Sequence, residues 1–227
     1  RPEAAEAFMI EPWYTSPYLP KAIRQMINEK RSDHRVCPSA LLSKAWDEAR
    51  PDSPRPDVAL LDVSPPDHNG FVSLGAGVWD KKELVKYART VIAEVNKSFI
   101  RTGGDNFIHL SEIDAFVEIP GSEEFRPPFP AVDVTNTVKK IAAYVAPLIH
   151  DGDTIEVGAG STSEAIVTAG IFAGRNDLGW HTERIPRGGV ALVQQGIFTG
   201  SRKTLHTGKA VATAVAHTRE ERDFVHQ

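Results

Sequence analysis

A glycine-rich turn in the second half of the chain has the composition of an anion-binding loop. Gly158, Ala159 and Gly160 lie between a predicted strand and a predicted helix, and Ser161 and Thr162 follow them. Backbone N–H groups at a helix start point toward such a turn, and the helix dipole favours an anion there. Ser161 is the predicted N-cap of the helix. A tight turn without ligand is the alternative, because Gly-x-Gly lacks the third glycine of a dinucleotide fingerprint.

A second candidate is a proline-containing turn that follows an apolar, predicted buried strand. The turn contains Ser64, Pro65, Pro66, Asp67 and His68. Ligands of open α/β sheets bind beyond the carboxyl ends of strands. The two prolines restrict the backbone that carries the acid and the imidazole. A plain turn with no ligand is the alternative interpretation.

A third polar segment follows the next predicted strand along the chain. Its candidate binding residues are Arg101, Thr102, Gly103, Asp105 and His109. The segment mixes cationic donors, carboxylates and glycine, which suits an anionic substrate. A solvated loop, in which an Arg101–Asp105 pair contributes little to stability, is the alternative.

His181 and Glu183 are separated by one residue and are predicted to meet His206 in space. The eight histidines show no His-x-x-x-His spacing, so the sequence predicts no metal site. The single cysteine, Cys37, excludes an intrachain disulfide and is predicted to be a small buried residue at a strand end. The chain has no Gly-x-Ser-x-Gly elbow, which argues against an α/β-hydrolase.

The composition is that of a globular protein with no polyanionic partner. The 227 residues carry a formal net charge of −4, so neither nucleic acid nor an anionic membrane surface is a predicted partner. The apolar runs are too short to span a membrane. No signal peptide is visible, and we expect a cytoplasmic location.

The elements that must position these residues alternate between strand and helix. Buried strands are predicted at Val58–Val63, Thr90–Val95 and Ala115–Ile119, and an apolar helix stripe runs from Val138 to Ile149. This alternation predicts an α/β fold with mostly parallel sheets covered on both faces. The proline-rich segment Pro120–Pro130 divides the chain into predicted domains 1–130 and 131–227.

Several segments together resemble one family. Asp57–Gly75 reads DVALLDVSPPDHNGFVSLG, and IAEVN, RTGGD and IHLSEID follow within Val91–Asp114. The glycine turn comes next, and LGWHTE and TGSRKTLH complete the order at Leu178–Glu183 and Thr199–His206. These motifs resemble the acetyl-CoA hydrolase/4-hydroxybutyrate CoA-transferase group of the class I CoA-transferases.

The resemblance implies two CoA-transferase-like (NagB/RpiA-like) α/β domains with the active site between them, the second domain being incomplete. It implies coenzyme A as substrate or covalent intermediate, and acyl-CoA and carboxylates as substrates. In this family a glutamate attacks the thioester, giving an acyl–glutamyl anhydride and then a glutamyl–CoA thioester. Backbone N–H groups at Gly158, Ala159 and Gly160 would stabilise the oxyanions. The implied CoA- or substrate-binding residues are those named above in the proline-containing turn and in the third polar segment, together with Ser161, Thr162, His181 and Glu183.

The catalytic glutamate of the family is expected in a segment beyond Gln227, so no catalytic side chain is predicted here. A carboxyl-terminal half, as a separate subunit or a further segment, is therefore the expected partner, and the isolated chain is expected to be inactive and part of an oligomer. Two alternatives remain open. One is an acyl-CoA thioester hydrolase or other thioester chemistry on this scaffold, and the other is a non-catalytic CoA-binding subunit.

Overall fold

The computed structural model describes residues 11, 21–32, 39–118 and 131–226. The predictions for Cys37 and for the linker Pro120–Pro130 fall outside this part. The chain divides into two compact units, Arg1–Arg55 and Pro56–Gln227. The predicted boundary near residue 130 stays a prediction.

The described part of the first unit consists of two short helices, α1 at Lys21–Asn28 and α2 at Ser39–Asp47. Trp46 is 4% exposed and is the largest apolar side chain buried here. The Arg55 side chain donates hydrogen bonds to the carbonyl oxygens of Trp46, at 2.7 Å, and of Asp47, at 3.1 Å. These are carbonyls at the end of α2, where the helix has no acceptor partners of its own.

The second unit begins with a three-stranded parallel sheet in the order β1-β3-β5. Its strands are β1 at Val58–Val63, β3 at Thr90–Val95 and β5 at Ala115–Glu118, and α3 at Lys81–Tyr87 precedes β3. Strands β1 and β3 have the predicted bounds. Both are runs of apolar and β-branched residues bounded by prolines or polar residues, which is why the sequence located them well.

The prediction that this sheet is covered on both faces was wrong for the described residues. In β1, exposure alternates along the strand, so that Leu60 is 75% exposed whereas Val63 is fully buried. Since side chains of a strand alternate between faces, one face of β1 packs into the core and the other is open. The apolar composition of β1 therefore does not mean that both faces of the strand are buried.

Two short strands pair antiparallel beside this sheet. They are β2 at Phe71–Ser73 and β4 at Phe107–His109, with Phe71 opposite His109. The end of β4 belongs to the third polar segment, for which no strand was predicted. The two aromatic rings meet edge to face at 5.1 Å between centroids, which is a favourable geometry for a cross-strand pair.

A second parallel sheet has the order β6-β7-β8. Its strands are β6 at Thr154–Ile155, β7 at Gly179–Ile185 and β8 at Val211–Val215. The helices of this region are α4 at Asn136–Val145, α5 at Ser161–Thr168, α6 at Gly189–Gln194 and α7 at Arg222–Val225. Trp180 and Phe198 stack at 3.9 Å within the core of this region.

The edge of the second sheet is extended by residues that follow β2. Gly77 forms an antiparallel bridge with Ala214, and the Val78 N–H donates to the Thr213 carbonyl at 2.9 Å. The Val215 N–H donates in turn to the Ala76 carbonyl at 2.8 Å. The segment Ala76–Val78 thus pairs with β8, and backbone hydrogen bonds connect residues on either side of the predicted domain boundary.

Candidate active site

Strand β7 carries two sets of side chains on its two faces. Trp180, Thr182 and Arg184 are buried, whereas His181 and Glu183 are partly exposed. This alternation follows from the period of two of a β-strand. Glu183 is therefore held on a strand of the sheet with its carboxylate available on the more open face.

The carboxylate of Glu183 lies against the glycine turn. Its Oε2 atom accepts a hydrogen bond from the backbone N–H of Ala159 at 2.6 Å. A Cβ atom placed on Gly158 would lie 3.4 Å from the same oxygen. The predicted anion-binding turn thus has a carboxylate bound to it, and that carboxylate belongs to this chain.

Four further hydrogen bonds fix the turn between β6 and α5. Thr182 Oγ1 accepts from the Val157 N–H at 2.7 Å and contacts the Val157 carbonyl at 3.1 Å. Ser163 Oγ contacts the carbonyl oxygens of Gly158 and Gly160, at 2.7 and 3.0 Å. The turn is consequently held from the strand on one side and from the helix on the other.

The predicted role of Ser161 as N-cap was wrong. The N-cap is Gly160, no side chain caps the helix, and Ser161 is its first residue. Ser161 and Thr162 are both exposed. Gly160 has φ of −172°, an extended conformation open to any residue, so a side chain there is not strained by its backbone angles. It would instead meet Ser163 Oγ, 3.1 Å from an ideal Cβ.

His181 meets His206, as the sequence predicted. The ring centroids are 6.1 Å apart and the rings are tilted by 53°. Among the described residues, no group of three or more His, Cys, Asp or Glu side chains is arranged to hold a metal ion. His181 lies on β7 with Glu183, and the His206 imidazole is close to that of His181.

The proline-containing turn and the third polar segment form a second cluster, centred on Arg101. Its guanidinium donates to Asp67 Oδ2 at 2.7 Å, to Ser64 Oγ at 3.0 Å, and to the Phe71 and Pro65 carbonyls at 3.1 and 3.2 Å. The Arg101 side chain is only 17% exposed. Arg101 therefore holds the two ends of the turn together after the carboxyl end of β1.

Asp67 is hydrogen-bonded in its ionised form. Its Oδ1 accepts from the N–H groups of Phe71 and Asn69, each at 2.9 Å. These bonds, chiefly the one from Phe71, together with the charge of Arg101 lower the pKa of Asp67 below its usual value. Ser64 is 1% exposed and accepts from the Ser73 N–H, while His68 is exposed. In this turn Asp67 and Ser64 have structural partners, and His68 faces solvent.

The remaining residues of the third segment have different partners from those predicted. Asp105 pairs with Lys82, and Arg101 pairs with Asp67, so the Arg101–Asp105 pair of the alternative interpretation is not formed. Thr102 accepts from the buried Asn106 amide, and Gly103 is exposed. His109 Nδ1 caps the short 3-10 helix that begins at Leu110. These contacts keep the segment folded close to the turn of Ser64–Gly70.

A family profile for the acetyl-CoA hydrolase/transferase N-terminal domain matches residues 3–125. The chain belongs to this family. It is 36% identical over 203 residues to a 4-hydroxybutyrate coenzyme A transferase of Clostridium kluyveri. This match covers 89% of this chain and 45% of that protein. It is also 36% identical over 171 residues, 74% of the chain, to a succinyl-CoA:acetate/propanoyl-CoA:succinate CoA transferase of Fasciola hepatica. The chain spans less than half of the length of these two relatives.

Solved structures agree with this family assignment. The crystal structure of a 4-hydroxybutyrate CoA-transferase from Porphyromonas gingivalis superimposes with a TM-score of 0.75 at 28% identity, over 96% of this chain and 54% of that one. RipA from Yersinia pestis superimposes with a TM-score of 0.79 at 28% identity, over 96% of this chain and 50% of that one. The family relationship supports coenzyme A as the shared substrate or intermediate. No helix in the described ranges is long and apolar enough to cross a membrane.

Sequence reasoning missed the residues that connect the glycine turn to β7. The contacts around the turn come from Thr182, Ser163 and the buried pair of Glu164 and Arg184. The contact of Glu183 with Ala159 spans 24 positions in the chain. Strand parity was the available signal, because it separates Glu183 from its neighbours Thr182 and Arg184. Which residue each neighbour meets depends on the pairing of β6 with β7, which the sequence does not specify.

Proposed function

We propose that this chain contributes to acyl-CoA:carboxylate CoA transfer through a glutamyl thioester on a segment outside this chain, and that its glycine turn stabilises the oxyanions. The observation that carries it is the 2.6 Å hydrogen bond between Glu183 Oε2 and the Ala159 N–H. An N–H of the turn that binds a carboxylate oxygen is a donor of the kind that an oxyanion site needs.

Glutamates of the family motifs within this chain have structural partners. Glu164 is buried in an ion pair with Arg184. Glu112 accepts from the His109 N–H and completes a local capping box. Glu156 is exposed directly after β6, with its Oε1 3.4 Å from the Glu183 nitrogen. These surroundings support a nucleophile on a segment outside this chain.

The proposed cycle balances without water, metal or an oxidant. The glutamate carboxylate attacks the thioester carbonyl carbon, the C–S bond breaks, and CoA leaves as the thiolate. The thiolate then attacks the glutamyl carbonyl of the acyl–glutamyl anhydride and releases the first carboxylate, which leaves a glutamyl–CoA thioester. A second carboxylate enters and reverses the two steps, forming a new acyl-CoA and the free glutamate.

The Ala159 N–H has a defined role in this cycle. When a thioester carbonyl is attacked, negative charge develops on its oxygen. The Ala159 N–H already binds a carboxylate oxygen, that of Glu183, so the turn is arranged to donate to such a charge. Removing one such donor from an oxyanion site typically costs about 100- to 1,000-fold in rate.

Covalent trapping tests the proposal. The full-length protein is incubated with acyl-CoA, treated with borohydride or hydroxylamine, and digested for peptide mapping. We expect the label on a glutamate outside this chain. A label on Glu94, Glu112 or Glu183 would overturn the proposal. Release of free CoA and acid without a carboxylate acceptor would identify the hydrolase alternative on the same scaffold.

A further inference from the structure

Strand β6 has no neighbour on its outer side among the residues that the structure describes. The sheet has the order β6-β7-β8, and the outer side of β8 is already paired with Ala76–Val78. The Asp153 carbonyl accepts from the Gly179 N–H at 2.9 Å, so the backbone groups of Asp153 point toward β7. Since backbone groups alternate between the two sides of a strand, those of Thr154 and Glu156 point away from β7. Unpaired groups of this kind are a template for a further strand.

An apolar groove of about 400 Å³ lies beside this open edge. Its twelve described lining residues include eight with apolar side chains and no lysine or arginine. Val145 at the end of α4 and Ile149 line one part of it, and Ile166 on α5 and Ile171 line another. Because the lining carries no cation, the groove is unsuited to the phosphate groups of CoA. An extended peptide with apolar side chains fits both the groove and the unpaired edge.

The length of the relatives indicates what occupies this groove. The chain spans 45% of the Clostridium kluyveri transferase, and its superposition on the Porphyromonas gingivalis structure covers 54% of that chain. The family profile that matches here is that of an N-terminal domain. About half of each relative therefore has no counterpart in this chain, and we refer to that part as the carboxyl-terminal half.

We propose that the open edge of β6 and the groove beside it bind an extended segment of the carboxyl-terminal half, which adds a strand to the sheet. This inference rests on the proposed function only for the existence of that half. Gly158 of the glycine turn also lines the groove. Because parallel strands end at the same edge of a sheet, a segment parallel to β6 would end beside this turn. Docking would thus bring the carboxyl-terminal half to the proposed oxyanion site.

Photo-cross-linking in the full-length protein identifies the occupant. Benzoylphenylalanine is incorporated in place of Thr154, which is exposed on the open edge, and the cross-linked peptides are mapped after irradiation. We expect cross-links to the carboxyl-terminal half. The same probe in place of Thr168, exposed on α5 and outside the groove lining, should lose them. Cross-links from position 154 only to a second copy of residues 1–227 or to another protein, or no cross-link at all, would overturn the proposal.

Hydrogen exchange detects the added strand directly. In the full-length protein we expect the N–H groups of Thr154 and Glu156 to be protected. Ile166→Glu should speed their exchange at least about tenfold, because a charge in the apolar groove disfavours docking. Thr168→Glu places the same charge on the same helix outside the groove and should leave the exchange unchanged.

A second variant covers the case in which Ile166→Glu does not fold. Thr154→Pro removes one N–H from the open edge and no buried side chain, and exchange at Glu156 should accelerate in the same way. Unprotected N–H groups at Thr154 and Glu156 in the wild-type protein would overturn the added strand.

These measurements do not depend on turnover, so the two proposals can fail separately. A cross-link from position 154 to the carboxyl-terminal half, found together with a trapped label on Glu183, would leave the docking site standing and overturn the proposed function. A label outside this chain without that cross-link would overturn the docking site alone.

Discussion

Glu183 Oε2 and the backbone nitrogen of Ala159 are 2.6 Å apart, although the two residues are separated by 24 positions in the chain. The contact joins two motifs that looked independent in the sequence, a glycine turn and a His-Thr-Glu segment. The anion-binding turn is in contact with a carboxylate. It therefore interacts with the carboxylate of this chain as well as with any anion that enters. The first prediction follows from this contact.

Glu183→Gln should reduce CoA exchange by at least about tenfold in the full-length protein, because an amide oxygen binds the Ala159 N–H more weakly than a carboxylate does. Initial rates of acyl exchange between an acyl-CoA and a labelled carboxylate measure the effect. Glu156→Gln is the control, since Glu156 is a neighbouring but exposed glutamate, and it should retain activity within about threefold. Equal losses in both variants would argue for a general charge effect in place of the contact with the glycine turn.

Arg101→Met should lower the free energy of unfolding by about 1–3 kcal/mol, because it leaves Asp67, Ser64 and two carbonyl oxygens without their donor. Urea unfolding followed by circular dichroism measures the loss. Arg89→Met removes an arginine whose pair with Asp57 is about 80% exposed on both sides. This control should cost less than about 0.5 kcal/mol, and similar losses in the two variants would contradict a structural role for Arg101.

The Ser64–Gly70 turn should lose stability in acid. The folded-state pKa of Asp67 is lowered, chiefly by the Phe71 N–H, so its stabilising contribution is fully present above the unfolded carboxyl pKa of about 3.9. The contribution is lost as the pH falls through the folded pKa. The difference in unfolding free energy between wild type and Asp67→Asn should therefore be largest near neutral pH and shrink below about pH 4. A difference independent of pH would show that the ionised form is not the bonded one.

Lys203 should show a pH dependence of the same sign, but in the alkaline range. Its side chain is 5% exposed and its Nζ donates to the Trp180 and Lys209 carbonyls, each at 2.8 Å. Burial lowers its pKa, so the folded state binds its proton less tightly than the unfolded state and stability rises as the pH increases toward about 10.4. A neutral amine still has two N–H groups for the two carbonyls.

The stability of wild type relative to Lys203→Met should consequently increase between about pH 8 and pH 10.5. Urea unfolding at several pH values provides the measurement. Lys209→Met, which changes an exposed side chain, should show no such trend. A difference that falls with rising pH would mean that the charged ammonium is the form favoured by the fold.

The strands at Val58–Val63 and Thr90–Val95 were predictable to the residue, because each is an apolar run with clear punctuation on both sides. The open face of β1 was not, since Leu60 is as apolar as the buried Leu61. Burial depends on which other elements pack on a strand, and that information is not local.

The site residues were predicted by type but not by partner. The alternative interpretation paired Arg101 with Asp105, whereas Arg101 reaches back 34 positions to Asp67. Glu183 was expected to bind substrate, and its carboxylate contacts the glycine turn. Both contacts join residues that are far apart in the chain, so the sequence alone does not identify the partners. Motif spacing indicates which residue types could take part in the chemistry, whereas the sheet register decides which of these residues contact one another.

The pairing of Ala76–Val78 with β8 has a consequence for cleavage of the chain. A protease nick within residues 120–130 would leave these backbone hydrogen bonds intact, together with the bond from the Arg101 N–H to His226 Nδ1 at 3.2 Å. The two fragments would therefore remain associated through these hydrogen bonds. Co-expressed as separate polypeptides divided at this stretch, they should assemble by fragment complementation.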